Sequence, residues 1–345
     1  MACNACLGLA EPSDSRVLAV IATNGVKPML QLCDEDASQL HDSIARLCEQ
    51  ATDSNLLKAR DDWKRAYLSW KNSAACRFGA INTIDKRINR WAVNGVVLDA
   101  AVESDDLDHL LAQAEQRGFA ALEYLLFTPK NAHAATTIGR RKHMLAISME
   151  IAECAHDAWL VWNDGYGAEF IAAGNGDPFL TTSDALSIAY VRLLNVTERL
   201  LLDQIGLPSA FFAEETRPQN LHAWLSGCTL AGMQAEVEGL LRVLSGDGSD
   251  SLLNLIATQD GLVEKRDPAL AAAIRGQLAK IQRTLGKLQQ SSTPIQQQLE
   301  KNPEALKELY EQLNTLQEQL IEGSLVLELD VYTGKQPTFA SEGNP

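Results

Sequence analysis

Gly118-Phe119-Ala120-Ala121-Leu122-Glu123-Tyr124-Leu125-Leu126-Phe127 is a short apolar run with a single carboxylate set inside it. Wound as a helix, it brings Phe119, Ala120, Leu126 and Phe127, three and four residues away, onto the face of Glu123. That face is apolar enough to be buried, so the carboxylate is expected to point inward. A buried carboxylate is costly unless it is paired, hydrogen-bonded, protonated or bound to a cation. Glu123 therefore needs a partner.

The flanking chain reads almost entirely as helix. Residues 28–50 repeat apolar positions at Leu30, Cys33, Ala37, Leu40, Ile44 and Leu47. A second helix is predicted over 53–76, capped by Asp53 or Ser54, with the stripe Arg60, Trp63, Tyr67, Trp70, Ala74 and Arg77. Its tryptophans read as core packing. The arginine at either end could reach Glu123, and a buried Arg–Glu pair would need no metal. Residues 78–104 lack a long period and read as a crossover with short helical turns, offering Asp85 and Asp99 as polar contributors. Helices are then expected over about 104–115, through the apolar run, and over 132–172. The Gly- and Pro-containing stretch from Ala173 to Pro178 marks a domain boundary. Beyond it come predicted helices over 181–205, with Thr182 or Ser183 as cap, and 219–245. Glu198 and Arg199 are expected near a solvated edge. Two heptad-like stripes, Ile274 to Leu288 and Leu306 to Leu320, should form an antiparallel hairpin. The fold class is all-α. The most economical architecture is two packed helical bundles, over 28–173 and 180–345, preceded by an N-terminal segment 1–27.

Composition sets limits on function. The 345 residues are 46% hydrophobic and 22% charged, values of a soluble globular protein. A net charge of -15 lacks the basic footprint of a nucleic-acid binder. No stretch reaches the roughly 18 apolar residues of a membrane span. The apolar run from Val17 to Ala22 is too short for a signal-peptide core and has no basic flank. Cys3 and Cys6 follow small residues at the very start; they read either as the acylation site of a truncated lipoprotein signal or as ordinary cysteines. No second pair or nearby histidine completes a zinc site with them. Cys33, Cys48, Cys76, Cys154 and Cys228 fall in apolar helical patterns and are expected to be structural.

The apolar run resembles the imelysin-like proteins, whose signature is Gly-x-His-x-x-Glu. Gly118 and Glu123 match it, while Ala120 stands at the histidine position. The upstream residues Trp63 to Tyr67, Trp70, Arg77 to Ile81, Ile84 and Asp85 carry the same resemblance, which runs from about residue 28 to the C-terminus. It implies two related helical-bundle domains meeting along a cleft, export to the bacterial periplasm or envelope, metal binding and a role in iron or haem-related uptake. Some members of the family carry a peptidase label. With Ala120 in place of the histidine, Glu123 is the one motif ligand left for iron or another divalent metal. His133, His143 and His222 are the histidines to consider as replacements.

HExxH, GxSxG, P-loop and strand-linked GxGxxG motifs are all absent. One Glu-x-x-His, Glu153 to His156, falls short of the two copies a di-iron bundle uses. The expectation is a non-catalytic, envelope-associated binding protein with a pocket near Glu123, Arg60, Arg77 and Asp85. Its partners would be a metal or small-molecule ligand and an envelope protein that receives it. No nucleic acid is expected, and membrane contact only through a lipid anchor. A metallopeptidase and a purely structural helical scaffold are the alternatives.

Overall fold

The computed structural model describes residues 13–104, 116–211, 215–246, 250–258 and 267–331. The expected lipoprotein cysteines Cys3 and Cys6 and nearly all of the helix expected over 104–115 lie outside these residues. The described residues form an all-α protein, which includes an isolated antiparallel bridge between Gly176 and Phe179. Among them, no helix is long and apolar enough to cross a membrane.

Helix α1 (Asp14–Val20) runs through a π turn into α2 (Lys27–Glu49), and α3 (Asp53–Asn72) returns alongside it. The cap of α3 is Thr52, one residue earlier than expected, its hydroxyl accepting from the Asn55 N–H. A 3-10 turn at Ser73–Cys76 leads into the crossover, which holds the short helices α4 (Asn82–Ile88) and α5 (Gly95–Ser104). The motif run is helix α6 (Gly118–Phe127), buried on nearly every side. The helix expected over 132–172 is instead three pieces, α7 (Ala132–Ala135), α8 (Ile138–Val161) and α9 (Gly167–Ile171). A π turn at Trp162–Tyr166 separates the last two. The turn aims Trp162 and Phe170 at Phe78, with ring centroids 5.4 and 5.3 Å away, contacts a straight helix would splay apart.

Helix α10 (Thr182–Arg199) opens with a capping box, Thr181 and Asp184 each bonding the other's backbone N–H. The helix expected from 219 starts ten residues later, as α11 (Thr229–Ser245). Residues 221–227 coil into turns instead, with Ala223 and Gly227 in the left-handed region at φ 55° and 74°. After α12 (Leu252–Thr258), the long helices α13 (Pro268–Gln289) and α15 (Lys307–Val326) pack together as the expected hairpin, with the short α14 (Ile295–Lys301) between them in sequence. Their antiparallel sense shows in the bonds from Gln277 to the Gln312 carbonyl and from Thr284 to Glu308.

Two apolar cores hold these helices. One gathers most of α2 with α3, α6 and α8. The larger gathers the C-terminal helices, and it also takes Val17 to Leu30, Ala74 to Ile81 and Trp162 to Phe170, so both sides of the turn at 174–178 feed it. All five described cysteines are buried and free. Burial pushes the thiols of Cys33 and Cys48 up to about 11, so both stay protonated and behave as small apolar side chains.

Between the cores, α3 lies against α11. Along this seam the apolar packing gives way to charge.

Candidate functional site

Glu123 is buried, with 2% of its surface exposed, and its partner is neither arginine nor histidine. Oε1 accepts from the backbone N–H of Ser226 at 2.7 Å. Ser226 sits in the 221–227 turn, so the residues that break the expected helix are those that answer the carboxylate. Burial drives the Glu123 carboxyl up to about 7, and the donors at Ser226 and Leu225 only partly oppose this.

A raised carboxyl is a statement about stability. The folded protein holds this proton more tightly than the unfolded chain, so the group's contribution is complete below about 4.5 and is lost as the pH rises through about 7. The shift corresponds to about 3 kcal/mol. Glu123→Gln keeps an acceptor for Ser226 and cannot ionise. It is expected to match the wild type in urea unfolding near pH 5 and to exceed it by up to about 3 kcal/mol at pH 8. A difference that does not grow with pH would mean that Glu123 ionises freely in the folded protein.

The residues grouped with Glu123 by the sequence bond other groups. Arg60 donates to the carbonyls of Leu126 (2.9 Å) and Pro129 (2.7 Å), lies over the Phe127 ring, and so closes the C-terminal end of α6. Arg77 turns to Asp85, with an N···O distance of 3.1 Å, and bonds the Trp70 carbonyl and the Ser73 hydroxyl. Asp85 is the centre of a second constellation. It also receives Arg192 at 3.1 Å and Arg199 at 2.9 Å, while the Trp70 indole donates to its Oδ1 at 3.3 Å. Burial by itself would raise the Asp85 carboxyl; the three guanidiniums instead hold it well below the usual range. Burial pulls Arg192 down to about 10, against the pull of Asp85.

Lys71 pairs with Glu236 at 2.8 Å, both essentially inaccessible. Gln204 spans the pair, accepting from Lys71 and donating to Glu236. Asp85 and Lys71 come from the first half of the chain, and Arg192, Arg199, Gln204 and Glu236 from the second. The charges meet across the seam.

Of the replacement histidines, His133 is exposed and His143 is buried with Nδ1 bonded to the Gly139 carbonyl. His222 stacks on Trp91 with centroids 4.8 Å apart, and burial together with Lys71 and Arg199 pulls it well below its usual range. Among the described residues, no group of three His, Cys, Asp or Glu side chains is placed to hold a metal ion. Glu123 already spends Oε1 on a neutral N–H donor. The residues present do not fit a metal centre at Glu123.

Sequence reasoning missed Ser226, Lys71, Arg192, Gln204 and Glu236, and placed Arg199 at a solvated edge; its side chain is 31% exposed but reaches Asp85. One signal was available. Glu236 shares a helical face with Met233 and Leu240, the same pattern that singled out Glu123.

The sequence and the fold have counterparts. A family profile described as imelysin, peptidase M75, matches residues 28–322. A protein from Parabacteroides distasonis ATCC 8503, described as an iron-regulated protein A precursor, has the same fold with a TM-score of 0.78 at 14% identity, over 92% of this chain and 97% of that one. An imelysin-like protein from Psychrobacter arcticum 273-4 superposes with a TM-score of 0.70 at 18% identity, over 94% and 99% of the two chains. No curated protein matches the chain.

Proposed function

The chain belongs to the imelysin family, and from that premise we propose that it is a bacterial, extracytoplasmic binding protein of iron handling that captures its cargo without cleaving anything. The observation that carries this reading is the seam between the cores. It buries Lys71, Arg77, Asp85, Arg192 and Glu236, an expensive arrangement for a mere scaffold and an ordinary one for a ligand cleft. Iron and export enter through the Parabacteroides protein, itself described as iron-regulated and as a precursor. Anchoring of this chain to the envelope through Cys3 or Cys6 belongs to the same proposal. Peptide hydrolysis asks for a nucleophile or activated water with a base and an electrophile converging on it. Asp85, Glu123 and Glu236 are instead tied to guanidinium, ammonium or backbone N–H groups.

Calorimetric titration of the full chain with ferric citrate and with haem, beside a fluorescent-casein assay, tests the proposal. Saturable binding of one iron complex with no proteolysis is the expected result. Binding of neither would remove the iron role, and chelator-sensitive proteolysis would make the protein a peptidase.

A further inference from the structure

Four cationic side chains line the seam, Lys71, Arg77, Arg192 and Arg199, and only two well-buried carboxylates, Asp85 and Glu236, are bonded to them. Asp203, exposed, adds its charge at longer range. Positive charge is therefore in excess where water is scarce.

Polar atoms are left over as well. Nε and Nη2 of Arg199, the hydroxyl of Tyr67 and Nδ1 of His222 are shielded from solvent and have no hydrogen-bond partner among the described residues. Each such orphan is costly if nothing meets it. Tyr67 is fully buried. Burial and the nearby carboxylates Glu236 and Glu123 push its hydroxyl well above its usual range, so it remains a donor.

Contacts through Trp91 link Tyr67 to His222, and the charge of Arg199 bears on His222. The Tyr67 hydroxyl lies over Gly232, where a Cβ would come within 2.6 Å of it, and Gly232 is one turn from Glu236. The Lys71 ammonium is 5.7 Å from the Tyr67 ring, Trp91 meets that ring edge-on at 5.8 Å, and His222 stacks on Trp91. Lys71 and Arg199 are the two cations whose charge bears on His222.

We propose that this part of the seam binds a small oxyanion, carboxylate or phosphate in chemistry. The free edge of Arg199 supplies a two-donor fork, the Tyr67 hydroxyl a third donor, and Lys71 its charge. The site rests on the binding role above and narrows the cargo to a molecule with an exposed anionic group.

The test uses the full chain and iron-free probes, inorganic phosphate and citrate, titrated calorimetrically at constant ionic strength. At least one is expected to bind saturably, phosphate alone marking a phosphate-type ligand and citrate alone a carboxylate. Tyr67→Phe removes a hydroxyl that bonds nothing in the free protein. It should weaken that binding about tenfold while leaving the ligand-free protein at least as stable as the wild type. Absence of saturable binding by both probes, or binding indifferent to Tyr67→Phe, overturns the site. Iron-free anions binding where no iron complex does would keep the site and remove the iron role; an iron complex binding indifferently to Tyr67→Phe would do the reverse.

Discussion

Asp85→Ala is expected to cost about 3–5 kcal/mol of stability, the penalty for removing one partner of a buried charge cluster. Three guanidiniums converge on this carboxylate, and those of Arg77 and Arg192 are almost wholly shielded from water. Without Asp85 they would sit together with no counter-charge between them. Asp85→Asn should cost nearly as much, because an amide fills the same space and can accept hydrogen bonds but brings no charge. Urea unfolding of both variants measures the effect. A loss below about 1 kcal/mol, the worth of an exposed ion pair, would show that water reaches the three arginines.

Gly118→Ala should be similarly damaging, about 3 kcal/mol or more, from two causes acting at one atom. The residue has φ +76°, a conformation that costs an L side chain energy. A Cβ there would also fall 2.3 Å from the Ile88 carbonyl oxygen and 2.6 Å from the Ile88 Cα. Backbone cannot step aside as a flexible side chain can, so α4 would have to move. Asp85 lies on that helix, one turn before Ile88. The first residue of the signature therefore holds open the approach through which the Asp85 cluster is placed, and its last residue reaches across to Ser226. Circular dichroism melting of Gly118→Ala, compared with Gly276→Ala on open surface of α13, separates this clash from an ordinary glycine replacement. Equal melting temperatures would contradict it.

Much of this was legible in the sequence, for physical reasons. Helical periodicity is a local property, so the stripes of α2, α3 and the α13–α15 hairpin could be read from spacing alone. Burial of Glu123 followed from its neighbours on one helical face. Its partner did not, because a backbone N–H leaves no mark in a list of side chains, and Ser226 lies 103 residues away. Arg60 and Arg77 carried charge in the right stripe, yet each was drawn to something nearer: Arg60 to the open carbonyls at the end of α6, Arg77 to Asp85. The turn at 221–227 was hidden because Leu221 and Trp224 continue an apolar helical pattern, and tertiary demand overrode local preference there.

The seam also bears on the order in which the molecule can come together. Its polar contacts join residues far apart in the chain, 107 positions for Arg192 to Asp85, 114 for Arg199 to Asp85 and 133 for Lys71 to Gln204. Closing loops of that length is paid for in chain entropy before any contact repays it. A ribosome delivers Lys71 and Asp85 well before Arg192, Arg199 and Glu236 exist. Until then, those early charges belong in water, and the face of α3 that will meet α11 must stay hydrated. The first half can gather its own apolar core, but its electrostatics are completed only by the second half. The two halves are thus one folding problem, and neither can be exchanged for a foreign counterpart without rebuilding the charges that face it.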